Sequence, residues 1–144
     1  MKSQALAVAV AFLVSIAATG ECYAQRPVLS MNIPFVFQVE NKTLPAGEYR
    51  IEPVPTGAGY LHRIQSIDGH ALIIVSTIAV HSNGSKSEPA LIFNRYGDSS
   101  FLSQIWTGEG KGRQLFKSEQ EKELARTRAK VEVGLAFHSP SDKP

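Results

Sequence analysis

The chain of 144 residues is poor in the groups that most often carry chemistry or staple a small fold. It has one cysteine, Cys22, one tryptophan, Trp106, and only 8% aromatic residues. A single thiol excludes an intramolecular disulfide, so a folded domain must be held by its core alone. The charges nearly cancel, 15 Lys and Arg against 13 Asp and Glu, a formal +2. That excess is too small to point to nucleic acid or to an anionic membrane surface. Nucleophile motifs are missing as well: there is no G-x-S-x-G. "GEGKG", Gly108 to Gly112, matches neither G-x-G-x-x-G nor G-x-x-x-x-G-K-[ST]. No internal repeat is found.

What the sequence does contain begins with a leader pattern. Met1 and Lys2 give a positive start, and Ala5 to Ala18, "ALAVAVAFLVSIAA", is an uncharged apolar run. Its length suits the h-region of a signal peptide and is too short to span a bilayer as a helix. The small residue Ala24 ends "ECYA" and marks the expected cleavage site. Cleavage there removes Cys22, one Lys and one Glu, leaving the formal charge at +2 and no thiol. A lipid anchor through Cys22 is the weaker alternative, because Glu21 stands where such a cysteine is normally preceded by a small residue. The expected organisation is a signal peptide over 1–24, one β-rich domain over 25–138 and a tail over 139–144. The location is then periplasmic or extracellular, with no transmembrane segment in the mature chain.

The mature part, about 120 residues, is long enough for one domain with a sizeable core. Its dominant period is two, the period of strands. In "MNIPFVFQV" Met31, Ile33, Phe35, Phe37 and Val39 alternate with more polar positions, and Pro34 suggests an edge strand. "ENKT" reads as a turn, and "LPAGEYRIEPV" as a turn followed by a strand ended by Pro53 and Pro55. "YLHRIQSI" and "ALIIVSTIAV" flank Asp68-Gly69, a two-residue hairpin signal. The second of these strands is nearly all apolar, which predicts burial on both faces. "HSNGSKSEP" reads as a loop, "ALIFNRY" and "FLSQIW" as a hairpin, and "TGEGKGR" as a flexible connection. Ser118 with Glu121 has capping-box spacing, acids fill the first turn and bases the last, which predicts a helix over about 118–129 resting on Leu124 and Ala125. A last strand alternates Val131, Val133, Leu135 and Phe137. The sum is a mainly β fold, a single antiparallel sandwich or barrel-like domain with one late helix and a C-terminal strand.

"IPFVFQVENKTLPAGEYRIEP" followed by "LIFNRYGDSSFLSQIW" resembles a group of short exported bacterial proteins that carry an IPF-x-F-x-V-x-N-K-x-L-P-A-G-x-Y block and an F-N-R-Y-G block. The resemblance covers most of the mature chain. It implies an envelope location and supplies no catalytic residue, since that family has no assigned activity.

Candidate constellations are few. In the Asp68-Gly69 register, His62 pairs with Val75 and falls on the face opposite His70, so the two cannot share a metal. His81 and His138 sit at strand ends without ligand spacing. Asp68 and Asp98 belong to turns, and Glu119, Glu121 and Glu123 read as a solvated helix face. The sequons at Asn41 and Asn83 have no meaning in a bacterial envelope. The richest polar stretch is "NRYGDSSFLSQIW". A four-residue loop, Gly97 to Ser100, would set Asn94 opposite Ser103 and place Arg95 on the other face with Gln104 and Trp106. Asn94, Arg95, Tyr96, Ser103 and Trp106 are therefore the candidate ligand-binding residues, with no catalytic residue, metal or cofactor expected. The function expected is an exported, non-enzymatic β-domain with a binding or structural role, its partner an envelope component or a small molecule. The alternatives are a small-molecule-binding barrel, gripping its ligand with Tyr60, Tyr96, Phe101 and Trp106, and an unrecognised periplasmic enzyme.

Overall fold

A computed structural model of the chain describes residues 28–56, 59–84 and 88–137. The leader, Cys22, the expected cleavage site at Ala24, His138 and the tail lie outside the described residues. Among the described residues ten strands and one helix follow in order: β1 (Leu29–Ile33), β2 (Phe37–Val39), β3 (Lys42–Leu44), β4 (Gly47–Pro53), β5 (Leu61–Ser66), β6 (Leu72–His81), β7 (Ala90–Tyr96), β8 (Ser99–Gly108), β9 (Lys111–Leu115), α1 (Glu119–Thr127) and β10 (Val131–Ala136). The fold is mainly β and largely antiparallel, as the period-two pattern predicts, with the late helix and the C-terminal strand both present. The sheet is open. Its path runs β1-β4-β5-β6-β9-β8, and β8 then pairs with β7, which pairs with β10, and in parallel with the short β2.

Two strands set this geometry. In β6, Leu72 to Ser76 pair with β5, whereas Thr77 to His81 pair with β9, so one strand carries the sheet from its first half to its second. In the N-terminal segment, Pro34 interrupts what the sequence presents as one strand. Before it β1 pairs with β4, and after it β2 pairs with β3 and β8. A proline cannot donate to a ladder, so the chain changes partners there. The two halves enclose one core built from Met31, Ile33, Phe37, Val39, Tyr49, Ile51, Ile64, Val75, Leu91, Phe93, Leu102 and Ile105 among others. Phe37 meets Tyr49 at 5.1 Å and Phe93 at 5.6 Å, both edge to face, and each such pair adds about 0.5–1.5 kcal/mol beyond area burial. The Tyr49 hydroxyl donates to the Pro45 carbonyl at 2.6 Å, tying the turn before β4 to the core.

Three expectations need correction. β6 is central in order but is not buried on both faces. Val75 and Thr77 point inward, while Leu72, Ile74 and Ile78 are 47–48% exposed. "TGEGKGR" is not a flexible connection but a tight hairpin. Glu109 (φ 54°) and Gly110 (φ 68°) turn the chain between β8 and β9, and a side chain at residue 110 would run into the Ser82 carbonyl. The helix rests on Glu121 and Leu124, and Ala125 is exposed.

Candidate functional site

The polar hairpin of β7 and β8 does not adopt the four-residue loop. Tyr96 pairs with Ser99, leaving Gly97-Asp98 as a two-residue turn, and Asn94 pairs with Phe101 rather than with Ser103. Phe93 pairs with Leu102 but Ile92 with Gln104, so Ser103 is the extra residue of a bulge. A one-residue bulge reverses the parity of everything beyond it. Gln104 and Trp106 therefore fall on the face of Ile92, Asn94 and Tyr96, not with Arg95.

The candidate residues thus separate into two environments. On the core side, Arg95 lies at the rim of the sheet: its Nε donates to Ser100 Oγ at 3.1 Å and its guanidinium sits 4.9 Å from the Phe35 ring centre. Phe35 in turn packs edge to face on Phe93 at 5.0 Å. On the outward side, Asn94, Tyr96, Phe101 and Trp106 are all buried. The Tyr96 and Phe101 rings meet at 6.0 Å, and Trp106 Nε1 donates to Gln104 Oε1 at 3.0 Å. The Trp106 ring lies over Gly112, its partner on β9.

A residue that the sequence assigns to solvent joins them. Glu121 is 3% exposed. Its Oε1 accepts from Asn94 Nδ2 at 2.9 Å and from the Tyr96 hydroxyl at 3.3 Å, while its backbone N–H donates to the N-cap Ser118 Oγ at 3.2 Å. Burial, and then the carboxylate charge of Glu121 and its hydrogen bond, push the Tyr96 phenol above its usual pKa. The phenol stays protonated and remains a donor. At the other end of the helix the Arg128 side chain covers Gly97, whose φ is 60°. The F-N-R-Y-G block is in this way the dock of α1: Phe93 enters the core, Asn94 and Tyr96 hold Glu121, Arg95 braces the rim and Gly97 admits Arg128.

The sequence carries a signal for Glu121 in the spacing of Ser118, Glu121, Leu124 and Arg128. That stripe has one apolar member, too few to dock a helix by burial alone, so a polar contact is required.

The histidines do not gather. His62 pairs with Val75, as the Asp68-Gly69 register requires, and is buried, while His70 is exposed and bonded to Asp68. The Thr77 hydroxyl donates to the Tyr60 carbonyl at 2.8 Å and lies 3.3 Å from His62 Nδ1, so the ring has a polar partner inside the sheet. Burial, and then the charge of Arg113, lower the His62 pKa. Among the described residues no group of three or more His, Cys, Asp or Glu side chains could hold a metal ion, and no helix is long and apolar enough to cross a membrane. Tyr60 is exposed and does not join Tyr96, Phe101 and Trp106. A separate surface groove of about 300 Å³ lies between the turn before β4 and the β5–β6 turn, lined by Pro45, Gly47, Glu48, Tyr49, Ile67 and Asp68. Set against protein-family models, curated proteins and solved structures, the chain matches none.

Proposed function

We propose that the chain is an exported protein of the bacterial envelope whose β-domain acts by binding, without catalysis. The observation that carries the reading is the outward row on β6. Leu72, Ile74 and Ile78 project from one face of a central strand, each about half exposed, where a sheet with one solvated face would carry polar residues. The neighbouring positions on β5 in the same register, Arg63 opposite Ile74 and Gln65 opposite Leu72, give this row a polar border, the arrangement of an interaction surface. Asn94, Arg95, Tyr96, Ser100, Gln104 and Trp106 of the β7–β8 hairpin, by contrast, are engaged with one another and with α1 rather than converging on open space.

Two experiments test the two halves of this reading. Residues 1–30 fused to a reporter that is active only after export should give activity in a bacterial host, and a reporter retained inside the cell would overturn the location. The purified mature protein should co-sediment with isolated envelopes, and Ile74→Lys should abolish this while leaving the unfolding midpoint unchanged. Undiminished sedimentation of the variant, or turnover in a broad hydrolase screen that is lost in Asp98→Ala, would sink the binding reading. The groove beside Tyr49 favours a second reading, a small-molecule binder. A native mass above the sequence mass after purification from its own host would support it.

A further inference from the structure

We infer that α1 is a lid, latched by Glu121, that opens as a unit from the outward face of β7 and β8 while the sheet stays folded. The helix has nine residues, shorter than a helix that is stable alone in water, so its presence depends on docking. Its docking stripe is Glu121, Leu124 and Arg128, and Glu121 is its one buried residue. Every strand, by comparison, is held by a backbone ladder and most contribute to the shared core. The carboxylate is taken out of water and receives two donors from neutral groups, Asn94 and Tyr96. Opening returns it to full hydration, which offsets the loss of both hydrogen bonds and makes the docked state shallow.

The segment has room to swing. Its ends are fixed at Leu115, the last residue of β9, and at Val131, where β10 pairs with Arg95 of β7. Between them, Phe116 and Lys117 are exposed on one side of the helix and Arg128 to Lys130 on the other. What the latch sits on is chemically distinct from the surrounding surface: the Asn94 amide and the Tyr96 phenol, whose ring packs edge to face on Phe101. Arg128 closes the far end over Gly97.

Native-state amide hydrogen exchange on the mature chain tests this. In the wild type the helix-bonded amides of Lys122 to Arg128 should exchange at one common rate, at least about 100-fold faster than the β8 amides of Phe101 to Trp106. Tyr96→Phe and Asn94→Ala, which each remove one donor from the latch, should speed the helix amides about tenfold or more, with an exchange that depends only weakly on denaturant because the opening exposes little surface. Should Asn94→Ala fail to fold, the wild-type rates and Tyr96→Phe decide the matter. Helix amides as slow as those of β8, or a rate gradient rising toward the helix ends as in simple fraying, would overturn the lid. Helix amides that do not accelerate in Tyr96→Phe would overturn it too.

Discussion

Gly112 offers the sharpest test of the packing, because a single methyl group there has a defined and rigid obstacle. A Cβ on Gly112 would lie 2.7–2.9 Å from three atoms of the Trp106 ring system, where ordinary contact begins at 3.4 Å. The ring must retreat by about 0.5–0.7 Å, but it is a fused bicycle that is 4% exposed and bonded through Nε1 to Gln104, so it has no flexible end to yield. Overpacking of this kind costs about 1–3 kcal/mol. Two favourable terms oppose it: the loss of glycine's freedom in the unfolded chain, about 0.4–1 kcal/mol, and the poor fit of glycine to a strand. The overpacking term wins, so Gly112→Ala should destabilise by about 1–2 kcal/mol. For a domain of about 120 residues that lowers the Tm by roughly 3–10 °C. Urea denaturation followed by fluorescence reads it directly, since Trp106 is the only tryptophan. The decisive arm is a double-mutant cycle with Trp106→Leu, measured by circular dichroism. In that background the obstacle is gone and the alanine should be neutral or stabilising. A Gly112→Ala penalty that persists unchanged once Trp106 is replaced would show that the ring is not its source.

Three further outcomes follow from individual contacts. Tyr49→Phe leaves the ring packed on Phe37 and removes the hydroxyl that holds the Pro45 carbonyl, so it should cost about 0.5–1.5 kcal/mol in urea unfolding; a null effect would mean the turn before β4 is held without it. Gly97→Ala places a Cβ at φ 60° against Arg128 and should lose about 1–2 kcal/mol, partly restored by Arg128→Ala, and the absence of any restoration would contradict the contact. His62 has a folded pKa below 6.5, so as pH falls through about 6.5 the unfolded chain takes up a proton that the folded chain refuses. Stability from this group is complete above that range, falls below it, and levels off only beneath the folded pKa. The urea midpoint should therefore drop between pH 7.5 and pH 5, and His62→Gln should flatten the drop; parallel curves for the two proteins would exclude His62 as the cause.

Most of the strand order is legible because it rests on local pattern. The Asp68-Gly69 hairpin, the alternation through Val131 to Phe137 and the Ser118 cap each follow from residues a few positions apart. What escapes such a reading is set by partners distant in sequence. Pro34 marks a break in the ladder but does not say where the chain goes next, because the alternation of Met31, Ile33, Phe37 and Val39 continues across it while the partner changes from β4 to β8. The apolar run of β6 looks doubly buried by composition. Its outer residues face solvent because no element of the described chain packs over Leu72, Ile74 and Ile78. β9 reads as loop since three glycines outweigh its alternation, yet Gly110 makes the turn and Gly112 makes room for Trp106.

The β7–β8 hairpin shows why a site is harder to read than a strand. Pairing Asn94 with Ser103 is chemically attractive, polar against polar, and a register chosen by cross-strand matching alone selects it. The real pairing sets Asn94 beside Phe101, a poor match within the sheet, because the amide's partner comes from outside it. Glu121 supplies that partner from 27 residues further on, and the bulge at Ser103 then turns Trp106 toward the same outward face. A local mismatch in an otherwise consistent hairpin is thus itself a signal that a third element docks there. Applied to this sequence, that rule points from an unmatched Asn94 to a helix with too few apolar residues and a glutamate at its third position, which are the two halves of one contact.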